Sequence, residues 1–588
     1  MTQPPTAPRV FPAATPPPGP HDAFYPADCP RDIPVPDESV WRALERNAAE
    51  RPDERGLVFF GRVWTWRQVY DEAQALAGAL AGLGLGRGDR LLLFMQNCPQ
   101  FVVAFYAAMR LDAVVVPANP MYHGPEVAHY IGDSGARIGV ASADIAGELV
   151  EGSQLAEQGG LEHVVVFDLV DGMPPDVDSV SATWPAAWRE WLLPRAPRPD
   201  ASTLQVHEWR ELVASAPVPA TAVTNLGEDL ALIGYTSGTT GLAKGCMQRH
   251  RSLVHQQICA GYWTDMHAHD VALVVVPMFH ITGLVMGMLG AVANASTVVI
   301  LPRWDRGVAA AIIADAGVTH WPNIPTMVID LLNSPELDSY DLSSLRYVGG
   351  GGVAMPEAIA TKLGEQFGLE YLEGYGLTES TAAAIQNPRG GPRRGHLGVP
   401  FMGVEARVID PATRAEMPIG EVGEIVLAGP QVTTGYWNLP TATEEAFVAL
   451  DGGTFFRTGD LGSVNADGYF TLADRLKRMI NASGFKVWPA EVENLLYGHP
   501  AVQEACVIRT RDPYRGETVK AMVVLKPDYR GAVTPEEIIE WAKDHMSAFK
   551  YPRQVEFVET LPHSAAGKLM WRLVQDEQDA KDAGAEQA

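Results

Sequence analysis

The chain has 588 residues, more than one compact core holds, so several domains are expected. Its 45 Lys and Arg against 71 Asp and Glu give a formal charge of −26, which argues against a nucleic-acid platform and against adhesion to anionic lipid by charge alone. An anionic ligand would need a local basic or amide-rich pocket set against that background.

Residues 1–38 read as a proline-rich, flexible arm without the continuous apolar core of a signal peptide. Thr65 caps a helix whose apolar face runs Trp66, Val69, Tyr70, Ala73, Leu76, Ala77, Leu80 and Leu83. Arg90–Met95 reads as a buried strand, followed by a helix over 99–110 and a strand over 113–117. Leu230–Gly234, Val271–Val276, Thr297–Leu301 and Leu345–Val348 are further short apolar runs between helical stretches. Runs of that kind suit strands covered on both faces, hence an α/β chain with largely parallel sheets. The Pro-, Asp- and Trp-rich stretch at 170–220 reads as a surface excursion. Past residue 400 turn-rich strands such as 420–427 suggest a smaller β subdomain. A fresh α/β unit begins near 478, with a helix over 489–497, strands near 502–509 and 519–525, and a helix over 534–547. The charged, Ala-rich last dozen residues read as a frayed tail. Five cysteines without a C-x-x-C pair argue against a disulfide framework or a zinc site. No run of about 18 apolar residues occurs, so a cytoplasmic protein is expected.

The stretch Tyr235–Gly245 follows an apolar strand and is dense in Gly, Ser and Thr. Its backbone N–H groups and hydroxyls can curl around phosphate oxygens, and Lys244 adds a positive charge. It lacks the G-x-x-x-x-G-K-[ST] spacing of a Walker A loop. A plain strand-to-helix turn needs one or two such residues rather than eight ending in a lysine.

That loop resembles the phosphate loop of the acyl-adenylate-forming superfamily of acyl-CoA synthetases, peptide-synthetase adenylation domains and beetle-type luciferases. Further stretches resemble its signatures in order: Pro277–His280, Gly374–Ser380, Phe456–Asp460, Asp474–Arg478, Ser483–Glu493 and Leu561–Lys568. The likeness spans about 40–575 and is strongest to bacterial long-chain fatty acyl-CoA synthetases. It implies a large N-terminal AMP-binding domain (39–473) of two parallel-sheet α/β subdomains plus a small β subdomain. A hinge at 474–478 with Lys477 at its pivot would lead to a small, mobile C-terminal α+β lid domain (479–588).

The implied reaction has two halves. A carboxylate attacks the α-phosphorus of ATP to give acyl-AMP and pyrophosphate; the thiol of coenzyme A then expels AMP. The first half crowds anionic oxygens, so positioning and cation placement dominate. The resemblance assigns Lys568 to bridge carboxylate and α-phosphate, Thr378 to donate to that phosphate, Glu379 to Mg2+, and His280 to the carboxylate pocket. ATP and AMP would be held by Thr236, Ser237, Gly238, Thr239, Thr240, Gly241, Lys244, Gly351, Gly374, Tyr375, Gly376, Asp460 and Arg475. Ser483, Gly484 and Lys486 would face coenzyme A, and Gly283, Gly349 and Gly350 would line the acyl pocket. Taken singly, Lys568 reads as a surface lysine, His280 as a core histidine, and Gly349–Gly352 as a wide turn that equally lets a flat ligand approach.

Three positions depart from the superfamily pattern: Ala243 stands where Pro usually precedes the lysine, Arg478 stands where Asp is usual, and Ser564–Ala566 replaces a Thr/Pro turn. The apolar stretch Ile281–Met288 suits a hydrocarbon tail, while a medium-chain or aryl acid stays open. The expected partners are a fatty acid, ATP and coenzyme A, with no nucleic acid and no transmembrane segment. Transient membrane contact and a homodimer stay open. The rival from another class is a non-catalytic acyl- or nucleotide-binding relative.

Overall fold

The computed structural model describes residues 19–585 except 32, 201–202, 216, 218, 220, 237–242, 353, 476–477, 483–484, 488, 513–515, 548–549 and 564–568. The chain forms two compact units, one running to Ala406 and including Leu427–Phe456, the other made of Arg407–Val426 and the chain from Arg457.

The first unit holds two sheets. The seven-stranded sheet runs, in spatial order, Gln205–Glu208, His163–Phe167, Ile138–Ser142, Arg90–Phe94, Val114–Ala118, Leu230–Tyr235 and Gly245–Arg249. All neighbours are parallel except the last pair, which is antiparallel. The nine-stranded sheet has a parallel centre of Tyr371–Leu377, Tyr347–Gly351, His320–Asn323, Val271–Val274, Thr297–Ile300 and Arg55–Phe59. Antiparallel strands close both of its edges. Central strands such as Leu91–Phe94 and Val298–Ile300 are buried, as apolar runs of this kind require. Helix Trp66–Gly82 begins at Thr65, whose hydroxyl accepts from Gln68 N while the Gln68 side chain accepts from Thr65 N.

The two sheets are joined by Asn97, just past strand Arg90–Phe94. Its Nδ2 donates to the carbonyls of Val274, Val276 and Leu301 at 3.1–3.4 Å, and its Oδ1 accepts from Met278 N at 2.7 Å. One buried amide thus ties the carboxyl ends of strands from both sheets, just ahead of His280.

Among the described residues, the segments read as an arm, a surface excursion and a tail carry specific packing. From residue 19 the arm packs onto the first unit: Tyr25 OH donates to Pro400 O (2.7 Å), Cys29 donates to Tyr262 O, and Gly403 N donates to Arg31 O. Proline content restricts which backbone the arm adopts, but buried Cys29 and Ile33 and half-buried Tyr25 supply anchors that burial rewards. The 170–220 excursion buries Trp184, Trp188, Leu192 and Trp209 and adds Gln205–Glu208 to the sheet edge. Its polar residues answer each other, Arg195 and Arg198 both binding the buried Asp168 at 2.9 Å.

The second unit combines antiparallel strands, including Asp460–Val464 against Phe470–Arg475, with an α/β layer. That layer has the strand order Phe485–Val487, Ile480–Ala482, Gly516–Leu525 and Val502–Asp512, with Gln554–Phe557 parallel to Gly516–Leu525. Helices Pro489–Leu496 and Pro535–His545 bury Val492, Leu496, Ile538 and Ala542 in its core. Of the residues read as a frayed tail, those up to Ala585 belong to a helix, Trp571–Ala585, and 586–588 lie outside the described residues. Gln575 bonds both backbone groups of Arg509, Gln578 accepts from Lys520 and donates to Thr510, and Val574 is buried in a cluster with Cys506 and Ile508, so polar and apolar side chains together dock the helix. No helix among the described residues is long and apolar enough to cross a membrane. The five cysteines are free and buried.

Candidate active site

The segment that resembles a phosphate loop joins two antiparallel strands, and Thr236 N donates to Lys244 O at 2.9 Å across its neck. Ser237, Gly238, Thr239, Thr240 and Gly241 lie outside the described residues. Lys244 Nζ sits 4.9 Å from the centroid of the Tyr436 ring. The Tyr436 hydroxyl donates to Glu379 Oε1 at 2.8 Å. Burial first, then the Glu379 charge, hold that phenol far above its ordinary range, so it remains a donor.

Glu379 leaves strand Tyr371–Leu377 on a single 3-10 turn, Thr378–Ser380. Its carbonyl accepts from Thr433 N (2.7 Å), and the Thr378 carbonyl accepts from Gln248 Nε2 (2.8 Å). Gln248 Oε1 accepts in turn from Gly234 N, so the strands flanking the phosphate loop hold the Thr378–Glu379 turn directly. Thr381 and Ala382 have φ of +51° and +79°. A β-branched residue there is strained, and the strain is held by Thr381 Oγ1 donating to Gln431 O at 2.6 Å.

Tyr375 is 8 % exposed, so most of its ring is already covered. A Cβ at Gly350 would lie 1.8 Å from Asn323 O, one at Gly351 2.0 Å from Gly374 O, and one at Gly376 1.7 Å from Ala382 O. These glycines are therefore required by neighbouring backbone, whatever ligand approaches them. A Cβ at Gly349 would meet Leu372 O and Tyr347 Oη at 2.7 Å, and one at Gly374 would meet Gln386 at 3.2 Å.

His280 lies beyond strand Val271–Val274. Its Nδ1 accepts from Thr282 N (3.3 Å), which leaves the proton of a neutral ring on Nε2. Gly283 opens a fully buried π-helical segment, Gly283–Leu289, and a Cβ there would lie 2.4 Å from Val276 O. Wide helical turns of this kind recur at functional sites. The segment itself is wholly apolar.

In the second unit Asp460 is 2 % exposed and pairs with Arg475 across antiparallel strands. The turn before it is organised by the buried Glu424, which accepts from Arg457 (2.6 Å) and from Gly459 N (3.1 Å). Arg478 pairs with Glu493, donates to Val507 O, and lies over Trp571, 5.4 Å from the ring centroid. The residue that departs from the superfamily pattern thus has a built partner. His563 and Leu569, on either side of residues 564–568, form an antiparallel bridge. Lys568, Lys477, Ser483 and Gly484 lie outside the described residues, as do the side chains of Arg475 and Lys486.

Residues 44–437 match the model of the AMP-binding enzyme family, and residues 491–568 match that of the AMP-binding enzyme C-terminal domain. The chain belongs to the AMP-binding enzyme family. Among its relatives is a long-chain-fatty-acid–CoA ligase of Bacillus subtilis (strain 168), 32% identical over 95% of this chain and 97% of the relative. The enzyme of the same name from Salmonella typhimurium (strain LT2) is 34% identical over 95% and 98%. The solved structure of the anthranilate CoA ligase AuaEII with anthranoyl-AMP superposes with a TM-score of 0.80 at 26% identity, covering 94% of this chain and 99% of that one.

Within this AMP-binding enzyme the structure brings Thr236, Lys244, Thr378 and Glu379 into one hydrogen-bonded neighbourhood. His280 and Gly283 stand at the end of another strand, and Gly349–Gly351 and Gly374–Gly376 on adjacent strands. Sequence reasoning missed Tyr436, Gln248, Asn97 and Glu424. Only Glu424 carried a signal, a carboxylate inside the apolar run Gly423–Leu427.

Proposed function

We propose that this AMP-binding enzyme is an ATP-dependent fatty acid–CoA ligase. The carboxylate oxygen bonds to the α-phosphorus of ATP as pyrophosphate leaves; the thiolate of coenzyme A then adds to the acyl carbonyl and AMP leaves. The observation that carries this reading is the chain Lys244–Tyr436–Glu379, which sets a cation at the phosphate-loop neck and a carboxylate at the next strand end around one phenol. The relatives' shared name supports the acid and the thiol.

Glu379 offers a hard oxygen, and no cluster of three or more His, Cys, Asp or Glu occurs among the described residues. That fits Mg2+ held by one carboxylate together with the nucleotide's phosphates, where it would neutralise charge. In this reading Thr378 donates to the α-phosphate, and Asp460 with Arg475 holds the ribose. Lys568 meets the α-phosphate in the first half-reaction, and Ser483, Gly484 and Lys486 meet coenzyme A in the second. The region beyond the 474–478 hinge, pivoting at Lys477, would serve the two halves in turn. Buried thiols support a cytoplasmic setting.

The buried apolar segment Gly283–Leu289 favours a hydrocarbon tail, while the likeness to an anthranilate CoA ligase favours an aryl acid as the second reading. Because a buried methylene contributes only ~0.8 kcal/mol, one or two side chains in the proposed acyl pocket would decide chain length. Thioester formation with palmitate, octanoate and benzoate at equal concentration tests this. Palmitate should be the best by kcat/KM; benzoate as the best substrate would replace the fatty-acid reading with the aryl one.

A further inference from the structure

Helix Gly124–Ser134 runs past the neck of the phosphate loop and touches both of its sides. On the outgoing side His129 Nε2 lies 2.7 Å from the carbonyl of Ala243, the residue before Lys244. A carbonyl only accepts, so the proton is on Nε2. On the incoming side the Tyr235 hydroxyl donates to Asp133 Oδ2 at 2.6 Å, and the Tyr235 ring packs on Tyr130 with centroids 4.2 Å apart. His129 and Asp133 are four residues apart, hence on one helix face. The Asp133 carbonyl also accepts from Trp437 Nε1 (2.9 Å) and Asn438 Nδ2 (3.0 Å), the residues that follow Tyr436.

We infer that this helix is a clamp: His129 and Asp133 fix the residues on either side of the neck and so set where Lys244 carries its charge. The inference rests on reading Lys244 as a phosphate-handling residue. Between Tyr235 and Gly245 the strand pairing and the Thr236–Lys244 bond set the spacing of the two sides but leave their tilt to outside contacts. Ala at 243 has backbone freedom that a ring would remove, and the His129 bond to its carbonyl restrains it instead. Because the same helix also holds Trp437, the clamp fixes Tyr436 and Lys244 in one frame. His129 and Asp133 are positioning residues, since neither is placed against substrate.

Pyrophosphate release against ATP concentration, with thermal melting alongside, tests the clamp. His129→Ala should raise KM for ATP by about tenfold and change kcat less than about twofold, while His129→Gln, which restores a donor, should recover most of the loss. Tyr235→Phe, nearly isosteric, should raise the same KM by about threefold to tenfold and carries the test alone if His129→Ala does not fold. Lys244→Ala serves as the control. If it raises KM for ATP and the clamp variants do not, the clamp is overturned and the loop reading stands. Equal loss in His129→Ala and His129→Gln also overturns the clamp. A wild-type KM in Lys244→Ala overturns the loop reading itself.

Discussion

Tyr436 presents its ring to Lys244 and its hydroxyl to Glu379, so one side chain sets the separation of a cation and a carboxylate that, in the proposed reaction, meet the same nucleotide. A hydrogen bond to a charged acceptor contributes about 1.5–3 kcal/mol, and losing it removes one restraint on the Glu379 carboxylate. Tyr436→Phe should therefore lower kcat/KM for adenylation by about tenfold or more and raise the Mg2+ concentration needed for half-maximal rate. An unchanged Mg2+ requirement would detach Tyr436 from the metal. Thr378, Glu379, Asp460 and Lys244 were nominated by the sequence because each stands inside a local motif. Tyr436, Gln248 and His129 were not, because each acts on a partner 57 to 130 residues away and nothing near it in sequence marks the role.

At the other end of the nine-stranded sheet, Asp270 stands before strand Val271–Val274 and binds Arg346, which precedes strand Tyr347–Gly351, and Thr319, which precedes strand His320–Asn323. Burial opposes ionisation of Asp270, but the His267 N–H, His320, Arg346 and the Thr319 hydroxyl together outweigh it and hold the carboxyl below its ordinary range. A depressed folded-state value means the contribution is present above the unfolded value near 4 and is lost as pH falls through the folded one. Asp270→Asn should destabilise the first unit by about 3 kcal/mol at pH 7, and the gap from wild type should shrink below about pH 4. Urea midpoints at pH 7 and at about pH 3.5 check this, and a gap independent of pH would contradict it. Elements were legible where period and length agreed, as in helix Trp66–Gly82 and strand Arg90–Phe94. The last helix was read as a frayed tail because its side-chain amides and, among its described residues, the single buried apolar Val574 leave no hydrophobic period, and the 170–220 surface excursion hid its packing because scattered Trp side chains and ion pairs hold it.

The chain is built as two units, and the α/β class with parallel sheets was legible in its apolar runs. The discontinuity of those units was not, because the return of Leu427–Phe456 to the first unit is fixed by contacts such as Thr433 N to Glu379 O. If the second unit serves thioester formation through Gly484, then Gly484→Leu should spare pyrophosphate release and slow acyl-CoA formation by about a hundredfold, and equal loss of both would argue against separate roles. The most direct test of the whole account is product analysis with ATP, Mg2+ and palmitate, with and without coenzyme A. Without coenzyme A one equivalent of pyrophosphate and bound palmitoyl-AMP should form; with it, AMP and palmitoyl-CoA should accumulate, and Lys568→Ala should abolish the first step. Release of ADP and phosphate, or wild-type acyl-AMP formation by Lys568→Ala, would contradict it.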